Sequence, residues 1–252
     1  MRTYKKIMAT VLMATMSLPL FAQSEGGLIA GAEVEKKVNK KLSVGIEAEM
    51  RTRHDFKTMD RWKFGIGASY KLTPWLKANA GYDLLNSNFR EKISYKSSGD
   101  YNHWRPSYWG IKHRLHFSLT GSYKFSNNIK LSLRERWQYT YRPEKTVDQR
   151  WDCLNNTYDG KQKIYSGKGR NVLRSRLQVE YDKKGLAITP YANVELFNAW
   201  SLQKIRYNVG VDWKLSKQHS LGFFYRYQHV NNDEDDLEPN IHMLGLGYKF
   251  KF

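Results

Sequence analysis

The sequence is nearly free of cysteine. One Cys in 252 residues, Cys153, excludes a disulfide framework, and no Cys/His cluster is present to hold a structural zinc. Long apolar runs are missing after residue 22. None approaches the roughly 20 residues a membrane helix needs, so a helical membrane protein is excluded. Anionic charge is in deficit, with 24 Asp and Glu against 42 Lys and Arg and a formal net charge of +18. Aromatic residues are plentiful at 14%, which argues against a disordered chain. The mean hydropathy of −0.70 taken alone reads as soluble.

The first 22 residues read as an address. Arg2, Lys5 and Lys6 form a basic head, Ile7 to Phe21 is largely apolar, and Ala22 is a small residue at a plausible cleavage point. This is the pattern of a secretory signal peptide, 1–22, and it is set aside from fold reasoning. Its three cations leave with it, so the remaining segment, 23–252, carries +15.

That segment alternates almost throughout. Trp62, Phe64, Ile66, Ala68, Tyr70 and Leu72 fall on one face, and Lys63, Gly65, Gly67, Ser69 and Lys71 on the other. A strict period of two is the signature of a strand with unlike faces. Eleven such segments lie near 27–38, 41–54, 60–72, 75–88, 107–125, 128–142, 171–182, 186–198, 204–215, 219–230 and 240–252. Each is long enough to cross a bilayer as a tilted strand, which takes about 9–11 residues. The connections alternate between short turns and longer links at 55–59, 89–106, 143–170, 199–203 and 231–239. Aromatics collect at both strand ends, with Trp75, Tyr123, Trp213 and Tyr248 beside short turns and Trp62, Trp137 and Tyr225 beside long links. Two such girdles suit a barrel in lipid, where the negative hydropathy is no objection because only half of each strand faces the membrane.

The expected fold is all-β: a single antiparallel transmembrane β-barrel of ten to twelve strands occupying 23–252. A secreted sandwich or lipocalin would show the same alternation with its apolar face inside. Uniform strand length, the double girdle and Phe252 favour the membrane. A terminal aromatic on an alternating last strand is the assembly signal of bacterial outer-membrane barrels, so Phe252 implies the barrel assembly machinery as a partner. Eleven strands is an odd number where bacterial barrels are even. Either the first segment, 27–38, lies in the lumen or a strand hides in 89–106 or 143–170, and how the barrel closes is left open.

Two stretches carry a resemblance. One runs Ala32-Glu33-Val34-Glu35-Lys36-Lys37, then Gly45-Ile46-Glu47-Ala48-Glu49-Met50-Arg51-Thr52-Arg53, then Asp60-Arg61-Trp62. The other is Leu173-Arg174-Ser175-Arg176 with Pro190-Tyr191-Ala192-Asn193-Val194-Glu195-Leu196-Phe197. Their order and spacing resemble an uncharacterised outer-membrane family common in the Bacteroidota, catalogued as domain of unknown function twenty-four-ninety. The resemblance implies one barrel domain and an outer-membrane location, and it implies no activity.

The face opposite the apolar one carries 18 cations against 8 anions. Arg51, Arg53, Arg134, Arg136, Arg174, Arg176, Arg206 and Arg226 are the expected basic lining, with Glu47, Glu49, Glu180, Glu195 and Asp212 as acidic partners. One reading is a plugged barrel whose charges pair in ladders, Glu47 and Glu49 against Arg51, Arg53, Arg174 and Arg176. The other is a narrow pore, since unpaired buried cations are too costly without water or an anionic guest. A positive lumen attracts small anions, and the guanidinium fork suits carboxylate or phosphate. Glu135 falls on the lipid face, either near the outer end, where a charge costs little, or at a bulge.

Enzymatic readings are weaker. His116-Phe117-Ser118 has the His-x-Ser spacing of lipid-active barrels, but Phe117 takes the lipid face and the pair points inward. His229 and His242 near the run Asp233-Glu234-Asp235-Asp236 lack EF-hand spacing, so no metal site and no cofactor are expected. Cys153 has no sequence-local base. The long link 143–170 suits a surface ligand-binding cap. Cations spread over many strands suit outer-membrane lipid and lipopolysaccharide phosphates, with no role for nucleic acid.

Overall fold

A computed structural model describes residues 24–147, 151–152, 155–158, 163–231 and 238–252. The signal segment 1–22, Cys153 and the acidic run 233–236 lie outside the described residues.

Eleven long strands form one closed barrel. They are β1 (Glu25–Lys37), β2 (Leu42–Arg53), β3 (Thr58–Lys71), β4 (Leu76–Phe89), β5 (Tyr108–Lys124), β6 (Ile129–Arg142), β7 (Lys168–Tyr181), β8 (Ile188–Ala199), β9 (Ser201–Lys214), β10 (His219–Val230) and β11 (Ile241–Lys251). Each strand pairs antiparallel with its neighbour in sequence. The odd count is resolved at the seam. β1 pairs with β11 in parallel, from Glu25↔Ile241 to Glu35↔Lys251. Backbone bonds from Phe252 N to Glu35 O (3.0 Å) and from Lys37 N to Phe252 O (2.9 Å) extend it by one more residue. The first segment is therefore a wall strand, and β1 enters from the long-loop rim while β11 ends at the short-turn rim.

The orientation of the faces separates a membrane barrel from a soluble one. Ile46, Phe64, Ile66, Leu115, Leu133 and Leu244 are each more than half exposed, all on the outward face. Among the described residues the buried set includes Arg53, Asp83, Ser118, Gln138, Asn193, Glu195, Arg206, Asn208 and Gln228. A water-soluble barrel buries the opposite set. Apolar residues outside and polar residues inside are what a lipid-spanning barrel requires.

Three expectations change. The link at 199–203 is a single residue: Trp200 alone joins β8 to β9, fully exposed and at φ +67°. The link after β2 is a four-residue turn, 54–57, with His54, Asp55 and Phe56 at positive φ. Glu135 sits at mid-strand in β6, not near an end, and the β5–β6 and β6–β7 registers run through it without a bulge. Ser175 Oγ donates to its carboxylate at 2.7 Å. Among the described residues, the links 90–107 and 143–167 hold no further wall strand. They form short rim strands, including Lys92–Tyr95 paired with Tyr101–Arg105 and Lys145–Val147 paired with Lys163–Tyr165.

Candidate functional site

Inward positions of β2 to β10 converge on a cavity of about 550 Å³ that runs from mid-barrel toward the long-loop rim beside β5 to β9. Fifteen Lys and Arg side chains and six carboxylates line it. Of the residues expected from the sequence, Arg51, Arg134, Arg136, Arg174, Arg176, Arg206 and Arg226 lie in this wall, as do Glu47, Glu49, Glu195 and Asp212. Two do not. Arg53 is buried under the long-loop rim, where its Nη1 donates to Asn88 O at 2.9 Å. Glu180 lies toward the short-turn end and accepts from Lys130 at 2.6 Å.

The strongest local pairing centres on Glu195 of β8. Arg174 Nη2 donates to one of its oxygens at 2.8 Å, and Arg134 Nη2 to the other. Arg174 also donates to Gln138 Oε1 at 3.1 Å. The ladder of Glu47 and Glu49 keeps one expected partner and changes the other: Glu49 bonds Arg51 on its own strand at 2.7 Å, whereas Glu47 bonds Lys63 across β2–β3 at 2.7 Å. Gly65 makes room for this, since a Cβ there would stand 2.7 Å from Glu47 Cγ and 2.8 Å from Asp83 Oδ1.

Elsewhere cations face cations. Arg174 lies opposite Arg136, and Arg176 opposite Arg134, across β6–β7. Like charges directly opposite each other destabilise a sheet unless something else satisfies them. Part of the answer is Phe197, a buried ring on β8. The guanidinium carbons of Arg174 and Arg206 stand 4.5 and 4.4 Å from its centroid, and Lys204 Nζ at 5.3 Å. Cation–π contact with this ring offsets part of the cost of gathering these cations at one place in the wall. The Nε atoms of Arg134, Arg136 and Arg174 are buried and make no hydrogen bond with protein.

Below this chamber lie two further cavities, of about 390 and 260 Å³, the latter at the short-turn mouth. The chamber and the first share Glu47, Arg134, Arg136 and Arg176 as wall, and the first and second share Glu35, Ser43, Ser69 and Lys77. On the β10–β11 side the long-loop end is closed by Ile29, Ile241 and Met243, packed with Phe224.

Sequence reasoning passed over Arg61, Arg142 and Arg170, although all three sit at inward positions of the alternation. Phe197 showed no sign of its role. Glu238 had no signal at all, since it follows the acidic run in a loop. It turns into the lumen, where Lys204 Nζ donates to it, with Gln228 Nε2 at 3.0 Å. Burial works to raise the Glu238 carboxyl, but Lys204, Arg206 and Arg61 outweigh it and hold it well below the ordinary carboxylate range.

His116 and Ser118 do point inward. Asp83 Oδ2 is 3.7 Å from His116 Nδ1, but Ser118 has no solvent exposure and its oxygen accepts from Asn79 at 3.4 Å. A nucleophile sealed in the wall cannot meet a substrate. His242 bonds Tyr225 and stacks on Tyr227 at 4.7 Å. Among the described residues no group of three or more His, Cys, Asp or Glu could hold a metal ion.

The family model described as "Protein of unknown function (DUF2490)" matches residues 30–238. The chain belongs to this family. No curated protein matches the chain. Among solved structures, the β domain of the Bordetella autotransporter BrkA aligns with a TM-score of 0.51 at 12% identity, over 84% of this chain and 82% of that one. The NanC porin aligns with a TM-score of 0.45 at 15% identity, over 90% and 98%. The translocator domain of autotransporter NalP from Neisseria meningitidis gives 0.44 at 10%, over 90% of each. The first likeness supports the barrel fold and nothing finer.

Proposed function

We propose that this DUF2490 protein is an outer-membrane barrel, delivered by the signal peptide 1–22, whose basic lumen forms a narrow pathway favouring small anions. The observation that carries this reading is the charge of the central chamber. Six carboxylates cannot neutralise fifteen cations, so on this reading the chamber holds water and mobile anions beside its ion pairs. The adjoining cavities continue toward the short-turn mouth, which the reading places in the periplasm. A low-dielectric wall around like charges focuses the field and raises the local concentration of anions. On this reading the lipid-facing belt contacts outer-membrane lipid and lipopolysaccharide, and Phe252 serves the assembly machinery.

Liposome flux tests it. Vesicles carrying the refolded protein should pass chloride and small carboxylates much faster than potassium. Arg174→Ala with Arg176→Ala should cut that preference several-fold while the barrel stays folded. Equal permeation of both signs by the unaltered protein would overturn the reading.

A further inference from the structure

The short-turn mouth has a chemistry of its own. Its cavity of about 260 Å³ is lined by Lys37, Lys40, Lys41, Lys71, Lys77 and Lys251, with no arginine in the wall. Lys71 and Lys77 stand directly opposite each other across β3–β4. Glu35 is the acidic side chain in this wall, and it is already bonded to Lys249 at 2.6 Å. Even counting a terminal carboxylate on Phe252, six ammonium groups face two anions. None of the six lies within ion-pair distance of a carboxylate among the described residues.

Clustering like charges in this way weakens the barrel end unless an anion offsets it. The ligand must bring several charges at close spacing. A phosphate carries up to two and offers three strong acceptor oxygens, whereas a carboxylate carries one. Lysine ammonium groups bind phosphate as point charges without demanding a planar partner. The Ser43 and Ser69 hydroxyls on the same wall add neutral donors. We infer that the lysine-lined mouth is a binding site for a multiply charged phosphate group, separate from the arginine chamber. Two sources fit this chemistry: a soluble polyphosphate and the headgroup of an anionic phospholipid. The inference does not rest on the pore reading.

The test is calorimetric titration of inorganic tripolyphosphate into the folded protein in a maltoside detergent. Binding is expected, and Lys40→Gln/Lys41→Gln/Lys71→Gln should weaken it at least tenfold. Two controls should leave it unchanged. Lys183→Gln/Lys184→Gln/Lys217→Gln removes the same charge from other short turns, and Arg174→Ala/Arg176→Ala alters the chamber and the cavity next to it but no residue of the mouth. Circular dichroism and heat-modifiable mobility confirm folding of each variant. The source is settled in nanodiscs. If it is a lipid, phosphatidylglycerol discs block tripolyphosphate binding while phosphatidylcholine discs permit it, and native mass spectrometry finds phosphatidylglycerol retained by the unaltered protein but lost from the mouth variant. If it is soluble, both discs permit binding. No binding by the unaltered protein, or equal weakening in the mouth and control variants, would overturn the inference.

Discussion

At the scale of single residues, two glutamates show how one side chain takes opposite values in opposite surroundings. Glu195 is buried between Arg174 and Arg134, and removing its charge leaves two guanidinium groups facing each other. Glu195→Gln should destabilise the barrel by about 3 kcal/mol, read from urea unfolding in lipid vesicles. Glu135 faces lipid at mid-strand, where Ser175 is its one hydrogen-bond partner among the described residues. Glu135→Leu should stabilise the barrel by about 1–2 kcal/mol, because a carboxylate deep in the apolar band is unfavourable. The reverse ranking would mean that the faces are inverted. Glu238 adds a pH dependence. Its carboxyl titrates lower in the folded protein than in the unfolded chain, so its stabilising contact with Lys204 is complete above the unfolded value near about 4.3 and is lost as pH falls through the folded value. The stability gap between the unaltered protein and Glu238→Gln should be constant from pH 6 to 8 and close under stronger acid. Most of these inward residues were legible from the period of two. The partners were not, because alternation fixes the face a side chain takes and says nothing of which neighbour it meets. Glu47 thus bonds Lys63 rather than an arginine.

At the scale of strands, the eleven segments read from the sequence coincide with the eleven wall strands to within about three residues. Hydrophobic alternation is strong wherever one face meets lipid, so strand positions come through clearly. The turns came through less well. Trp200 turns the chain in one residue through a left-handed conformation that its identity does not advertise. The closing pair was the hardest to read, since a parallel seam joins strands more than 200 residues apart and leaves no local pattern. It is directly testable. Glu33 and Lys249 face each other across the seam, and neighbouring strands lie about 4.8 Å apart, within disulfide reach. Glu33→Cys with Lys249→Cys, in a Cys153→Ser background, should form an intramolecular disulfide in the folded barrel, seen as a mobility shift reversed by reductant. Failure to cross-link under oxidising conditions would count against parallel closure.

At the scale of the whole molecule, charge is graded along the barrel axis. Arginine dominates the middle and the β5–β9 side of the long-loop end, where planar forks stack on Phe197 and share Glu195. Lysine dominates the short-turn mouth. Composition gave the surplus of positive charge and could not give this gradient, which depends on how far along each strand a residue falls. On the proposed reading the surplus surrounds an open, hydrated path. The zero-current potential of single channels in a planar bilayer, across a roughly tenfold gradient of potassium chloride, decides whether it does. Discrete conductance steps are expected, with a reversal potential whose sign is that of chloride selectivity, shifting toward zero in Arg174→Ala/Arg176→Ala. A folded, inserted barrel that leaves the bilayer tight, or one that selects potassium, would contradict it.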